Sequence, residues 1–508
     1  MRTLPIRVPT WASCLLALTG VWGQEQSPTE VSYIRARQAV ERGLDAMGGQ
    51  KAIRAIEDIS FKSSSRLTEP GQSINPAGPF YVRPVETEGV IDLKGRRSSV
   101  QTKTVFVGGG EFRISTVLLD RSGFTADLGG NAIYPLAAPA LAANQRLVQR
   151  TFPHLLLQVA LRRAATLRSS GSQTIQGRAC DVVTFADVDG TVSTLYFDGQ
   201  TGLLTEADVL LDRLIEGLGV VANTFSEYRD VDGIKIPFQI VSTFRGEPQT
   251  DLVYKDVKFN THPPASLFAP PSRAVTGPEV GGPPPPVTLT RIGKDAYLVN
   301  AFDTGGVFFY SSIVVVFNDY VLVVEAPLND SATQAIVAKI KETAPGKPVK
   351  YLVQTHDHVD HLGGIRGYIA EGAVIVSTPA TAKVVKAVAA VNHPLNPDRL
   401  QQSPRPVLIE SFIDKRIFDD GDHRVELYNV GPTLHSTEIV IAFLPHEKTV
   451  FLSDLVPVTF KGEASPKSPV FVEFYSKLRN MGLDVQTTIS GHGRIAPIEE
   501  LRRLVEKE

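Results

Sequence analysis

One short stretch of the chain concentrates side chains that bind metal ions. Residues 354–364 read QTHDHVDHLGG and contain His356, His358, Asp360 and His361. The chain of 508 residues contains ten histidines, and three of them fall within these few positions. Ionisable groups at this density in an apolar setting need a shared countercharge, and imidazole with carboxylate suits Zn²⁺, Fe or Mn. The stretch therefore predicts a metal site.

The spacing within this stretch favours an extended backbone. On a helix, His356 and His358 would point about 200° apart, whereas residues two apart in an extended chain face the same way. Asp360 and His361 follow as the chain turns, and Gly363-Gly364 permits a close backbone approach before the next helix. A first pair followed by a second pair suits two neighbouring ions better than one.

Three further side chains of the metal-binding type follow predicted strands in the C-terminal part. His435 comes after YNVG and a Gly-Pro break, Asp454 ends the apolar run TVFLS, and His492 lies between two glycines after TTIS. Functional groups collect where the strands of α/β sheets run out into loops. Each residue alone would be an ordinary loop or capping residue, but together they offer the ligands that two ions still need.

Other histidines and the cysteine are predicted to be structural. Cys180 lies in a strand-like run and is expected to be buried. Isolated histidines need no special role, and those in polar turns are expected at the surface; the isolated ones are His154 and His262, and the turn histidines are His393, His423 and His446.

Composition narrows the class of protein. Hydrophobic residues make up 43% and charged residues 21% of the chain, and its length predicts two or more globular domains. The net charge of −2 argues against a nucleic-acid partner, which needs clustered excess Lys and Arg. After the N-terminal leader, no segment is long and apolar enough to cross a bilayer.

Residues 1–23 have the pattern of a signal peptide. Arg2 and Arg7 precede an apolar stretch of moderate length, and small residues surround a cleavage position near Gly23. The pattern predicts a periplasmic or secreted protein.

Residues 273–289, rich in Pro and Gly, are predicted to be a linker that divides the rest of the chain into residues 31–272 and 290–508. The first part opens with a helical pattern and continues as short alternating runs separated by Asp-Gly and Gly-Gly turns. These runs are typical of antiparallel hairpins, so this part is expected to be a mostly antiparallel β domain with helices.

The strand-turn-strand phrases of residues 31–272 resemble the half-barrel domains of periplasmic lipoprotein carriers. The phrases are YFDGQTGLLTEADV, YRDVDGIKIPFQI and DVKFNTHPPASLFAPP. The resemblance implies a curved sheet that cups an apolar ligand. A plain structural or docking domain is the preferred interpretation, because a fold does not fix a function.

The C-terminal part mixes strands with amphipathic helices, which predicts sheets covered by helices. In this order, THDHVDHLGG, GPTLHS, FLSDLV and SGHG resemble the metallo-β-lactamase superfamily. The resemblance implies a four-layer αβ/βα sandwich with two metal ions at one edge. The implied ligands of the first ion are His356, His358 and His435; those of the second are Asp360, His361 and His492; Asp454 would bridge both.

Asp454 also favours particular branches of this superfamily. True β-lactamases commonly have Cys or Ser at this position, whereas the glyoxalase II, lactonase and RNA-processing branches have Asp. The family's usual Asp-Thr-Gly is replaced by Glu325-Ala-Pro, and Glu325 is either a residue that orients a ligand or a plain strand-end carboxylate.

The resemblance implies a dinuclear hydrolase of a small-molecule substrate, which the N-terminal pattern predicts to be exported. Two divalent ions, with Zn²⁺ favoured over Fe or Mn, would share a hydroxide that attacks an ester, thioester, lactone or related bond, and Asp360 and Asp454 would be catalytic. Two alternatives stay open: a mononuclear iron dioxygenase of the persulfide type, and a carrier of an apolar ligand with a non-catalytic metal domain.

Overall fold

The computed structural model describes residues 26–109, 111–129, 131–282, 286–302, 309–455, 469–493 and 495–506. The predicted signal peptide, residues 1–23, lies outside the described residues. Among the described helices none is both long and apolar enough to cross a membrane.

The described residues of the N-terminal part form four α-helices and one large sheet. Two helices open the chain, and a break with positive φ at Gly48 (+127°) and Gly49 (+89°) separates them. The helices are α1 (Pro28–Ala46), α2 (Gln50–Arg54), α3 (Ala138–Val148) and α4 (Pro153–Arg162). The strands are β1 (Asp58–Glu69), β2 (Tyr81–Asp92), β3 (Arg97–Val105), β4 (Glu111–Leu118), β5 (Gly123–Asp127), β6 (Ala132–Pro135), β7 (Arg168–Ile175), β8 (Arg178–Ala186), β9 (Val192–Asp198), β10 (Leu204–Arg213), β11 (Gly217–Val231), β12 (Ile234–Phe244), β13 (Glu247–Phe259) and β14 (Val275–Thr276).

Antiparallel pairing connects these strands in the order β14-β6-β5-β4-β3-β2-β1-β13-β12-β11-β10-β9-β8-β7, except that β14 runs parallel to β6. Alternating residues of the strands face one core, where they meet α1 and α4. Phe61 and Phe197 from the sheet and Leu44 and Leu157 from the helices are buried in that core. Cys180 is also buried, as its strand-like surroundings predicted.

Part of the predicted linker is bound to the N-terminal sheet. Val275, Gly277 and Val280 donate backbone hydrogen bonds to residues 131–135, and Val280 is buried. The residues of this segment other than proline keep a backbone N–H group that can donate a hydrogen bond. Residues 275–280 therefore pair along the edge of the sheet.

The C-terminal part contains two further sheets and seven helices within the described residues. The first sheet has β15 (Thr288–Gly293), β16 (Ala296–Phe302), β17 (Phe309–Val316), β18 (Val321–Val324), β19 (Val349–Val353), β20 (Val374–Ser377) and β21 (Leu408–Ser411). The second has β22 (Lys415–Asp419), β23 (Arg424–Asn429), β24 (Val440–Leu444), β25 (Thr449–Phe451), β26 (Thr487–Ile489) and β27 (Ile495–Pro497). The helices are α5 (Asp330–Thr343), α6 (Val359–Leu362), α7 (Ile365–Glu371), α8 (Pro379–Ala389), α9 (Arg399–Gln402), α10 (Pro469–Asn480) and α11 (Ile498–Glu506).

Four layers follow from the way these elements share cores. Alternate residues of β17 and β18 face opposite sides of the first sheet. Val314 and Val323 pack with α5, α7 and α8, while Ile313 and Val324 pack against the second sheet. The other face of the second sheet packs on α10 and α11. The predicted αβ/βα sandwich, preceded by a β-rich part, is therefore confirmed.

Candidate metal centre

Strand ends bring the predicted site residues to one edge of the sandwich. The histidine-rich stretch follows β19, His435 follows β23, Asp454 follows β25, and His492 follows β26. β18 and β19 run parallel in one sheet, and β25 and β26 run parallel in the other. Parallel strands place their carboxyl ends at the same edge, so residues distant in sequence meet there.

The histidine-rich stretch is extended at first and then helical. His358 has φ −66° and ψ 142° and immediately precedes α6, which contains Asp360 and His361. The rings of His356 and His358 lie 4.6 Å apart, so they converge as the extended spacing predicted. A Cβ on Gly363 would collide with the carbonyl oxygen of Leu328, which explains the glycine at this close backbone approach.

All seven predicted ligands lie in two adjoining groups that share Asp454. Within each group, one ligand atom per residue lies within 4.8 Å of the others. The first group is His356, His358, His435 and Asp454; the second is Asp360, His361, Asp454 and His492. The resemblance to the metallo-β-lactamase superfamily implies the same division.

Asp454 faces the two groups through different oxygens. Its Oδ2 lies 3.2 Å from His435 Nε2 and 3.8 Å from His356 Nε2. Its Oδ1 lies 2.7 Å from the Nε2 atoms of both His361 and His492. One carboxylate can therefore serve two neighbouring positions.

Buried ring nitrogens show that the first group fits a cation. His356 Nε2 and His358 Nδ1 are buried and have no hydrogen-bond partner among the described residues. An unpaired buried polar atom is costly, and a neutral imidazole nitrogen of this kind is a good ligand for Zn²⁺, Fe or Mn. The donor set of both groups consists of imidazole and carboxylate without thiolate, which also fits these ions.

Glu325 links the outer sides of two of these histidines. Its Oε2 accepts from His361 Nδ1 at 3.0 Å, and its Oε1 accepts from the hydroxyls of Thr355 and Ser453, the latter at 2.8 Å. Thr355 Oγ1 lies 3.0 Å from His356 Nδ1. Glu325 thus orients ring nitrogens toward the centre, as outer-shell carboxylates do in metal sites.

The backbone at this position is strained. Glu325 has a φ of +82° and Ser453 a φ of +51°, both in a backbone region that residues other than glycine rarely adopt. Such strain persists only where the surrounding structure enforces it, and it concentrates at functional sites.

The two groups differ in electrostatics. Burial and the neighbouring His435 lower the pKa of His358 to about 3, and burial with His358 and His361 lowers the pKa of His356 well below its ordinary value. Burial alone would lower the pKa of His492, but Asp454 and Asp360 outweigh burial and raise it to about 9. A dication in the second group would therefore have to displace protons, which makes its binding pH-dependent.

Asp360 and Asp454 stay ionised despite burial. Burial would raise their pKa values, but the charges of His361 and His492 outweigh it and hold both pKa values below the ordinary range. Ionised carboxylates are acceptors only, so both are suited to cations and to water protons.

Two histidines predicted at the surface are buried. His393 is 5% exposed because Asp212, in the N-terminal sheet, lies 2.7 Å from its Nδ1. His423 is 6% exposed and lies between Asp295 and Asp420. The polar turns that contain these two histidines do not indicate that aspartates elsewhere in the chain contact them. His446 is exposed, as predicted.

Residues 305–508 match the family model of the metallo-beta-lactamase superfamily. Similar solved structures are a metallo-beta-lactamase from Pontibacter korlensis (19% identity, TM-score 0.33), one from Hirschia baltica (17%, 0.34) and FIM-1 from Pseudomonas aeruginosa in its mono-zinc form (18%, 0.33). The matches cover 43–44% of this chain and 94–97% of those chains. No curated protein matches.

The family model confirms the motif-based resemblance at superfamily level for residues 305–508. The resemblance of residues 31–272 to lipoprotein carriers is not confirmed and stays a prediction.

Proposed function

We propose that the C-terminal part is a dinuclear metal hydrolase of a small-molecule ester, thioester, lactone or related bond. The sharing of Asp454 between two buried His/Asp groups is the observation that supports this proposal most strongly. The first ion would be held by His356, His358, His435 and Asp454, and the second by Asp360, His361, His492 and Asp454. Zn²⁺ suits these ligands best, ahead of Fe or Mn.

Divalent cations held there would supply an acidified water at neutral pH and polarise the oxygen of the bond under attack. Asp454 lies between the two groups and would be a ligand in both. Asp360 presents Oδ2 to the second group, 3.3 Å from His492 Nε2, where its carboxylate would orient a water molecule by accepting a hydrogen bond. These are the catalytic roles that we assign to Asp360 and Asp454.

Tyr310 closes one side of the second group. Its ring packs edge-on against His492 at 4.7 Å and His361 at 6.0 Å, and its hydroxyl lies 3.4 Å from Asp360 Oδ2. The ring is buried and therefore keeps bulk water from this side of the second group. Sequence reasoning did not identify this residue, because its strand contains no metal-binding motif.

A substrate panel with metal control tests the proposal. Purified protein, chelated protein and chelated protein with Zn²⁺ restored would be assayed on ester, thioester, lactone and β-lactam substrates. Turnover that is lost on chelation, restored by Zn²⁺ and absent in Asp454→Ala supports hydrolysis, and His446→Ala is the matched control at an exposed histidine. Turnover that survives both chelation and Asp454→Ala contradicts it; iron with oxygen uptake on a persulfide would instead support the dioxygenase alternative.

A separate feature favours an apolar ligand in the N-terminal part. A cavity of about 730 Å³ lies between the sheet and its helices, with Ile56, Ile91, Leu93 and Leu155 in its wall. Five basic and three acidic side chains also line it, so basic groups such as Arg54 are in excess. An apolar wall beside cationic groups suits an amphipathic acid. Extraction and mass analysis of the purified protein should yield such a molecule, and Leu93→Arg should reduce its amount; protein that neither carries nor takes up a fatty acid contradicts this binding.

Export is part of the same proposal. The pattern of residues 1–23 supports a periplasmic or secreted enzyme cleaved near Gly23. N-terminal sequencing of the protein from its native host should begin close to Gln24, and a mature protein that retains Met1 contradicts export by this route.

A further inference from the structure

One rim of the N-terminal sheet faces the C-terminal part. Strand register places six turns on this rim, among them those that join Glu69 to Tyr81, Val105 to Glu111, Arg213 to Gly217, and Phe244 to Glu247 across neighbouring strands. Three of these turns make hydrogen bonds or packing contacts with the C-terminal part. They are the β1–β2 loop, residues 70–80, the β10–β11 turn, residues 214–216, and the β3–β4 loop, where Gly108 and Gly109 pack near Val470 and Pro469.

The β1–β2 loop reaches two of the proposed metal ligands. Gln72 Nε2 donates to Asp360 Oδ1 at 2.6 Å. The carbonyl oxygen of Ser73 lies 3.2 Å from His358 Nε2. The loop is also fixed to the backbone beside His435, because the N–H of Thr437 donates to the carbonyl of Ile74 at 2.8 Å.

These two contacts act on the sides of the ligands that face away from the metal groups. Asp360 turns Oδ2 toward the second group while Gln72 occupies Oδ1, so the amide fixes the orientation of the carboxylate. A carbonyl oxygen only accepts, so the Ser73 contact places the proton of His358 on Nε2. Nδ1 then presents its lone pair to the first group, where it has no other partner among the described residues.

The loop is rigid enough to position these ligands. Ser73 is fully buried, and its hydroxyl donates to the carbonyl of Glu69 at 2.6 Å and accepts from the N–H of Tyr81 at 2.7 Å. At the base of the loop, Arg83 makes two hydrogen bonds of 2.7 Å to the Glu69 carboxylate. Bidentate pairs of this kind fix geometry as well as charge.

A second contact joins the N-terminal part to the C-terminal part and fixes their relative position. Asp212, at the end of β10, has a fully buried side chain. It accepts hydrogen bonds from His393 Nδ1 and from the N–H groups of Leu395 and Asn396. Leu214 of the β10–β11 turn packs near Gly363, next to the histidine-rich stretch.

We propose that the N-terminal part is a structural component of the metal centre, with Gln72 and Ser73 as positioning residues for Asp360 and His358. The inference rests on the metal centre proposed above and adds residues that no metal-binding motif contains. Removing an outer partner of a metal ligand typically weakens metal binding about 10- to 100-fold. The loss should be largest for the second ion, which Asp360 would bind.

The test compares metal affinity in Gln72→Ala and Gln239→Ala of the full chain. Gln239 also donates an amide hydrogen bond to an aspartate, Asp251, but lies on the exposed sheet away from the centre, so it is a matched control. Competition with a chromophoric chelator should show about 10-fold weaker Zn²⁺ binding in Gln72→Ala and wild-type binding in Gln239→Ala. The visible bands of the Co²⁺-substituted protein should change only in Gln72→Ala.

The outcomes separate the two proposals. Wild-type protein that binds no Zn²⁺ overturns the metal centre and, with it, this inference. Wild-type protein that binds Zn²⁺ with the same affinity and Co²⁺ spectrum as Gln72→Ala leaves the metal centre standing and overturns the role of Gln72.

Hydrogen exchange on wild-type protein decides the question if Gln72→Ala does not fold. Zn²⁺ should slow amide exchange at least several-fold in residues 72–75 of the β1–β2 loop, and leave the β7–β8 turn, residues 176–177, unchanged. Equal exchange in the loop with and without bound Zn²⁺ overturns the coupling.

Discussion

Glu325 Oε2 lies 3.0 Å from Nδ1 of His361, and both side chains are almost completely buried. This contact turns Nε2 of His361 toward Asp454, 2.7 Å away. A strand-end carboxylate that the sequence left between two interpretations therefore acts as the outer partner of a proposed metal ligand. The same carboxylate reaches His356 through Thr355, so one residue supports both groups.

Glu325→Gln should weaken metal binding without preventing folding. The amide keeps the size of the side chain but loses the charge that holds the His361 ring, and such outer-shell changes typically cost about 10- to 100-fold in affinity. Chelator competition measures the effect. Glu426→Gln is the control, because Glu426 is a largely buried carboxylate that pairs with Lys415 and Arg424 away from the centre. Equal affinity in wild type and Glu325→Gln would show that Glu325 is a plain strand-end residue.

Single histidine variants should remove one ion each. His435 belongs to the first group and His492 to the second, and neither lies in the other group. Elemental analysis after reconstitution and desalting should give about one ion per chain in His435→Ala and in His492→Ala, against two in the wild type. If either variant loses both ions, the groups are not independent in the way that the geometry indicates.

His154 should make stability depend on pH in the N-terminal part. Burial lowers its pKa to about 3, and its ring lies between Phe152 and Phe259. In the unfolded chain its pKa is about 6.5. Between about pH 6.5 and pH 3, His154 is therefore protonated in the unfolded state and neutral in the folded state. Stability is therefore complete above about pH 6.5 and falls as the pH drops toward 3.

The substitution His154→Leu should remove this loss of stability at low pH. The difference in unfolding free energy between variant and wild type should shift in favour of the variant by about 2 kcal/mol between pH 8 and pH 5. Urea unfolding followed by circular dichroism at several pH values measures it. Parallel pH profiles for the two proteins would show that burial does not hold His154 neutral.

Local sequence was sufficient to indicate the candidate ligands and insufficient for their outer partners. His356, His358, Asp360 and His361 are adjacent in the chain, so their spacing alone indicates convergence. His435, Asp454 and His492 were found because each follows a strand, and parallel strands collect such ends at one edge.

Contacts between distant segments explain what the sequence could not indicate. Gln72 lies 288 residues from Asp360, and Asp212 lies 181 residues from His393. The turn around His393 is polar and mostly exposed, and only the His393 side chain is buried, where Asp212 of the β10–β11 hairpin docks on it. A long-range contact between two different folds leaves no periodic pattern in either segment.

The number of ions held by wild type and by Asp454→Ala tests most directly whether one carboxylate serves two metal positions. Both proteins would be reconstituted with Zn²⁺, desalted and analysed for metal, with circular dichroism to confirm folding. We predict two ions per chain in the wild type and weakened binding at both positions in Asp454→Ala, unlike the single losses in His435→Ala and His492→Ala. A wild type without bound transition metal, or a folded Asp454→Ala that keeps two ions at wild-type affinity, would contradict the account.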